Sequence, residues 1–201
     1  MGGFKLNLTM TTEELESKLQ GGTETQTLDI KAACDWNADT MAKDILAMTN
    51  VRDGGYIIIG VEDGTFARQG INAMQRATYA IETMRDQLRA FADPHVTFTV
   101  EFPRDSTGLE YAVLRVMPFE EIPVICATDR AGLRRGVVYY RNSNARVESA
   151  AVSNSYDMHD IILTATVKMM RRLRASGFTV DDQPDEAAET RRRLEEEREN
   201  L

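Results

Sequence analysis

The run Tyr56-Ile57-Ile58-Ile59-Gly60-Val61 is apolar and largely β-branched from end to end, set between the turn Asp53-Gly54-Gly55 and the acids Glu62 and Asp63. A strand without polar alternation has to be covered on both faces, so this run calls for a central strand in a layered fold. The residues before it narrow the choice further. Met41, Ile45 and Met48, flanked by Ala38, Ala42 and Leu46, recur at helical spacing. Asn37 or Asp39 is placed to cap that helix, and Asn50 with the glycine turn to end it. Earlier still, Thr27-Leu28-Asp29-Ile30-Lys31 alternates with period two, with Leu28 and Ile30 on one face and Asp29 and Lys31 on the other. Acids therefore gather near the first strand (Glu24, Asp29) and at the end of the second (Glu62, Asp63).

Around this strand–helix–strand unit the other elements follow in order. Thr11-Thr12-Glu13-Glu14 has the form of a capping box, opening a helix that stops at Gly21-Gly22. Met74, Ala77, Ile81, Met84, Leu88 and Phe91 predict one core-facing helix over about 73–92, broken by Asp93-Pro94. Val96 to Phe102 and Tyr111 to Met117 alternate as two strands, joined as a hairpin through the loop Arg104 to Gly108. Short strands are expected at Val124–Ala127 and Gly136–Arg141. A last helix over about 156–175 carries Met158, Ile162, Ala165, Met169 and Leu173 on one face. The expected fold class is α+β: a mixed, twisted sheet of about six strands flanked by helices, with a C-terminal helix and a charged tail. Residues 1–178 form the domain, and 179–201 a helical or disordered tail.

No apolar run approaches the length that spans a bilayer, and the N-terminal residues lack a secretory apolar core, so no membrane partner and a cytoplasmic location are expected. Cys34 and Cys126 form no C-x-x-C pair and read as buried thiols. The net charge of −8 speaks against a polyanionic partner until its distribution is examined. Residues 130–174 hold nine basic residues against three acids, whereas 181–201 hold nine acids against four arginines. The basic stretch provides a local footprint for phosphate, and a pair of solvated faces is the plainer alternative. Arg134, Arg135, Arg141 and Arg146 are the candidate phosphate contacts, with Tyr139 and Tyr140 beside them for base stacking, one of the two tyrosines being turned into the core by strand alternation. Trp36 reads as a lid on the core.

Glu24, Asp29 and Asp63 are hard oxygen ligands of the kind that phosphodiester hydrolysis needs around Mg²⁺ or Mn²⁺, and Lys31 shares a strand face with Asp29. The same two residues also suit a surface ion pair worth about 0–1 kcal/mol. No G-x-x-x-x-G-K-[ST] loop is present, and Gly54-Gly55 precedes a strand rather than a helix, so ATP is not expected.

The blocks E-T-Q-T-L-D-I-K, A-M-T-N, D-G-G-Y-I-I-I-G-V-E-D-G and V-V-Y-Y-R-N-S-N-A, in this order over roughly residues 12 to 160, resemble the Schlafen-type AlbA-like (AlbA_2) domain. The resemblance implies a nucleic-acid-binding domain. In its nuclease members three acids hold a divalent metal that cleaves RNA, notably tRNA; by motif these fall on Glu24, Asp29 and Asp63, with Lys31 as the nearby cation. Asp29 departs from the glutamate usual in those members, and its shorter reach bears on the metal geometry. The resemblance therefore implies either a metal-dependent endoribonuclease or a non-catalytic DNA- or RNA-binding module of a regulatory or defence complex. Homo-oligomerisation or a partner protein is expected through the C-terminal helix and tail.

Overall fold

The computed structural model describes residues 9–20, 23–62, 64–142 and 147–178. It divides into two compact units, 1–166 and 167–201. In the first, α1 (Thr12–Gln20) precedes β1 (Leu28–Lys31), α2 (Ala38–Thr49) and β2 (Gly55–Ile59). Then come α3 (Ala73–Thr78), α4 (Ile81–Leu88), β3 (Ala92–Asp93), β4 (Phe98–Glu101), β5 (Ala112–Val116), β6 (Ile125–Cys126), β7 (Tyr139–Arg141), β8 (Ser149–Ala151) and α5 (Ser155–Ala175). The helix α5 runs across the boundary between the units.

The sheet is mixed, as the patterning requires, but it has four strands rather than about six. Its order is β1-β2-β5-β4, with β1 parallel to β2 and the other pairs antiparallel. The remaining strands form two short ribbons, β3 with β6 and β7 with β8. Chain direction explains the parallel pair: α2 supplies the crossover that carries the chain from the end of β1 back to the start of β2.

The central strand β2 is covered on both faces. Ile57 and Ile59 join Met41, Ile45 and Met48 of α2 with Leu88 of α4, Phe98 and Leu114 in the larger core. Ile58 points the other way, into a smaller core with Leu28, Ile30, Val113 and Leu15 of α1. Gly55 leaves this layer no room for a side chain: a Cβ there would lie 2.4 Å from the Thr27 carbonyl oxygen and 2.3 Å from Met48 Sδ. Gly60, at φ 120°, lets the backbone of Gly70 and the Tyr111 ring approach within about 3 Å of where its Cβ would be.

Caps fall largely where the sequence places them. Thr11 and Glu14 exchange hydrogen bonds between side chain and backbone, and Asn37 Oδ1 accepts from the Asp39 amide. The loop between β4 and β5 is organised by Asp105, whose Oδ1 accepts from the Thr107 and Leu109 amides while Oδ2 accepts from the Tyr111 hydroxyl.

The helix expected over 73–92 is two. Asn72 and Gln75 close a capping box at the start of α3, and Tyr79 leaves helical geometry with ψ 48°. Its ring turns inward and its hydroxyl donates to the Cys34 carbonyl at 2.9 Å. The break rotates the apolar stripe: Met84, Leu88 and Phe91 are buried as expected, whereas Met74 is 79% exposed. The face of α5 also differs. Asp157, Ile161 and Thr164 are its buried residues, and the expected core positions Met158 and Ile162 face outward. Asn154 starts this helix, its Oδ1 accepting from the Asp157 amide and its Nδ2 donating to Asp157 Oδ2, which fixes the rotation. In the second unit, Met169, Met170 and Leu173 of α5 are exposed. No helix among the described residues is long and apolar enough to cross a membrane.

Candidate functional site

Register sets the position of the acids. Asp29 lies opposite Ile57 and Lys31 opposite Ile59, so both point to the α2 side of the sheet, between β1 and the helix. A charged pair there must be partnered or it costs several kcal/mol. The partner from α2 is Asp44, whose Oδ2 lies 2.7 Å from Lys31 Nζ. Lys31 Nζ is also 3.0 Å from Asp29 Oδ2, and Arg141 at the end of β7 meets Asp29 Oδ1 at 3.0 Å. Burial works against the Lys31 ammonium, but the carboxylates of Asp29 and Asp44 outweigh it and hold its pKa above the usual lysine value.

Arg141 is 1% exposed. Its Nη2 donates to the carbonyls of Thr25 and Leu28, both at 3.1 Å, and stands 3.8 Å from Glu24 Oε2; Nη1 also reaches Ser149 Oγ on β8 at 3.4 Å. Glu24 closes the group. Its Oε1 accepts from the Ile30 amide at 3.2 Å, and its carboxyl lies near enough to that of Asp29 for the two charges to repel. Burial raises the Glu24 pKa, the Ile30 amide opposes the shift, and the neighbouring Asp29 charge adds to it.

That shift carries a pH dependence. The folded chain holds the Glu24 proton more firmly than the unfolded chain does. The resulting loss of stability begins as pH rises past the ordinary carboxyl value and is complete above the raised folded value. Glu24→Gln keeps an acceptor for the Ile30 amide and removes the charge. The variant is expected to melt higher than the parent at about pH 7 and to lose that advantage near about pH 4. Thermal melts at the two pH values check this, and an equal gain at both would place its origin elsewhere.

Two sequence expectations change here. Arg141 is a buried counter-ion rather than a surface cation, because it stands two residues from Tyr139 on the same face of β7 and follows it inward. Tyr140 is not a stacking platform either. Both tyrosines are buried, on opposite sides of the ribbon: Tyr139 in the large core and Tyr140 against Val51 and Ile161. The Tyr140 hydroxyl donates to Asp160 and accepts from Gln26 Nε2 at 2.9 Å, and burial with the Asp160 carboxylate keeps its pKa above the usual phenol value. The exposed Asp29–Lys31 pair weighed as an alternative is instead a buried carboxylate with a half-buried ammonium. Arg134 and Arg135 are exposed, on the turn between β6 and β7. Asp63 and Arg146 lie outside the described residues.

The expected metal was tested against these contacts. A shared Mg²⁺ or Mn²⁺ needs several oxygen lone pairs converging on one point. Both Asp29 oxygens already face cations, and one Glu24 oxygen is held by a backbone amide. Among the described residues no three acids, histidines or cysteines are grouped to hold a metal. In this arrangement the Asp29 oxygens are committed to cations, while Asp63, the third expected ligand, is not among the described residues.

Sequence reading missed three residues of the network. Asp44 lay three residues from Met41 and four from Met48, inside the apolar stripe of α2, and a lone acid there signals a buried cation opposite. Gln26 and Ser149 carried no comparable signal.

The family model described as Schlafen, AlbA_2 matches residues 24–149, from the first acid of the network to the first residue of β8. The chain belongs to the Schlafen AlbA_2 family. The match leaves α1 and α5 outside it. Membership supports a nucleic-acid-binding domain. Among solved structures, the AlbA_2 chain is similar to the DIP2311 protein of Corynebacterium diphtheriae, with 18% identity and a TM-score of 0.48. That match covers 74% of this chain and 27% of the other, so this chain spans about a quarter of that protein's length. No curated protein matches.

Proposed function

We propose that this AlbA_2 domain binds nucleic acid without cutting it, and that its acidic cluster serves the fold. The observation that carries the second half is the Asp29 carboxylate, buried and neutralised between Arg141 and Lys31. Both oxygens of a group so placed already face cations instead of an open ion site. Contact with phosphate falls instead to Arg134 and Arg135, which are exposed and have no acidic partner among the described residues. Their turn is fixed from below: the Arg134 amide donates to the Tyr139 hydroxyl and the Arg135 amide to Asp129 Oδ1, both at 3.0 Å.

The second reading is a metal-dependent endoribonuclease acting on structured RNA such as tRNA. It is favoured by the contact of Glu24 with Asp29 beside Lys31, the pairing its motif implies. One experiment separates the two. Labelled tRNA is incubated with the parent chain and with Asp29→Ala, with Mn²⁺ and with chelator, and binding is followed by anisotropy. Binding without cleavage is expected in every lane. The double variant Arg134→Glu/Arg135→Glu is expected to bind at least about tenfold more weakly and with a salt slope shallower by about two. Cleavage by the parent in Mn²⁺, abolished by chelator and lost in an Asp29→Ala variant that still binds tRNA, would establish the nuclease instead.

A further inference from the structure

A cleft of about 480 Å³ opens where α2 begins, walled by Trp36, Asn37, Asp86, Gln87, Phe91 and Arg130. None of these residues belongs to the acidic network. We infer that this cleft receives one unpaired nucleobase of a single strand, an inference that rests on the nucleic-acid reading above and gives that reading a specific ligand.

Two flat groups line it. The half-buried indole of Trp36 is held in place, its Nε1–H donating to Gln87 Oε1 at 2.7 Å and its ring meeting Tyr79 edge-on at 6.2 Å. The planar guanidinium of Arg130 is fixed as firmly. It lies 5.4 Å from the centre of the Phe91 ring and is clamped by Asp39, with Nε 2.7 Å from Oδ1 and Nη2 3.0 Å from Oδ2. Rigid aromatic and guanidinium planes are the surfaces on which unpaired bases stack. Asn37, Asp86 and Gln87 add donors and acceptors for the edge of a base, and the volume is of the size that small planar ligands use.

Charge decides against a phosphate inside the cleft. Arg130 is already neutralised by Asp39, and Asp86 stands 3.8 Å from Arg89, so the cleft offers no spare cation. The free cations stand outside, on the turn that Arg130 itself begins: the Leu133 amide closes on the Arg130 carbonyl at 3.0 Å, and Arg134 and Arg135 follow. A neutral planar pocket beside two unpaired arginines matches the alternation of base and phosphate along a single strand. A base held in a duplex cannot enter.

Trp36 is the chain's only tryptophan, so its emission reports directly on the cleft. The full chain is titrated with an oligouridine strand of about 12 nucleotides and with blunt duplex RNA of equal length, following tryptophan emission and the anisotropy of labelled ligand together. The single strand is expected to quench Trp36 in step with binding, and the duplex to leave it unquenched. Trp36→Ala is expected to weaken single-strand binding by about 5- to 100-fold with duplex affinity unchanged. If that variant fails to fold, quenching of the parent chain decides alone. Saturating anisotropy with constant emission would overturn the cleft and leave the nucleic-acid reading standing. Unchanged anisotropy with both ligands would overturn that reading, and the cleft with it.

Discussion

Arg141→Ala is expected to remove about 3–5 kcal/mol of folding stability, the range for breaking a buried ion pair by deleting one partner. The guanidinium is 1% exposed and faces Asp29 at 3.0 Å, so truncation leaves the buried Asp29 with Lys31 alone, a cation that Asp44 also claims, and leaves two carbonyls, those of Thr25 and Leu28, without this donor. In a chain of this length that corresponds to a fall in melting temperature of roughly 6–20 °C. Most of the loss comes from a buried carboxylate left under-compensated, with two acids sharing Lys31, not from the missing attraction. Arg141→Ala combined with Asp29→Asn is therefore expected to be more stable than Arg141→Ala alone, and the double-mutant cycle gives the coupling. Denaturant unfolding of the four species checks it. An Arg141→Ala variant within about 0.5 kcal/mol of the parent would mean that the network contributes little.

The second large effect is at Asn50, which the sequence marks only as a helix stop. Its side chain is buried where the end of α2 meets the segments before β6 and at β7. Oδ1 accepts from the Val124 amide at 2.8 Å, and Nδ2 lies within 2.9–3.1 Å of the Leu46, Val124 and Tyr139 carbonyls. Asn50→Ala leaves the Val124 amide and at least one carbonyl without that partner, a loss of about 2–6 kcal/mol at roughly 1–3 kcal/mol for each unsatisfied group. Asn50→Asp is expected to be worse, because it keeps the acceptor but sets a carboxylate against three carbonyl oxygens. The reverse order in chemical denaturation would show that the amide donor is dispensable. Tyr139 stands two residues before Arg141, so β7, and with it the charge network, hangs from this side chain.

These two residues also show what the sequence could and could not convey. The unbroken run 56–61 announced a strand covered twice, and the stripe of α2 announced one of its covers. Both are regularities of a single element with its solvent, and periodicity records them. The hairpin loop and the Asn37 cap were readable for the same reason, since their partners lie a few residues apart. Arg141 and Asp29 are 112 residues apart. An arginine on a short strand carries the same letter whether it grips phosphate or fills an ion pair, and only its shared face with Tyr139 hinted at the latter. The break at Tyr79 escaped because Met74 and Ala77 continue the helical spacing while a hydrogen bond to Cys34, 45 residues earlier, sets the actual path.

Arg141 has one more consequence. β1 is the outermost strand of its sheet, and a strand in that position is a template on which another chain can add by backbone pairing. Its outward Leu28 carbonyl, with that of Thr25 just before the strand, is already engaged by the guanidinium. The side chain that neutralises Asp29 thus occupies acceptors at this margin of the sheet that an added strand would need.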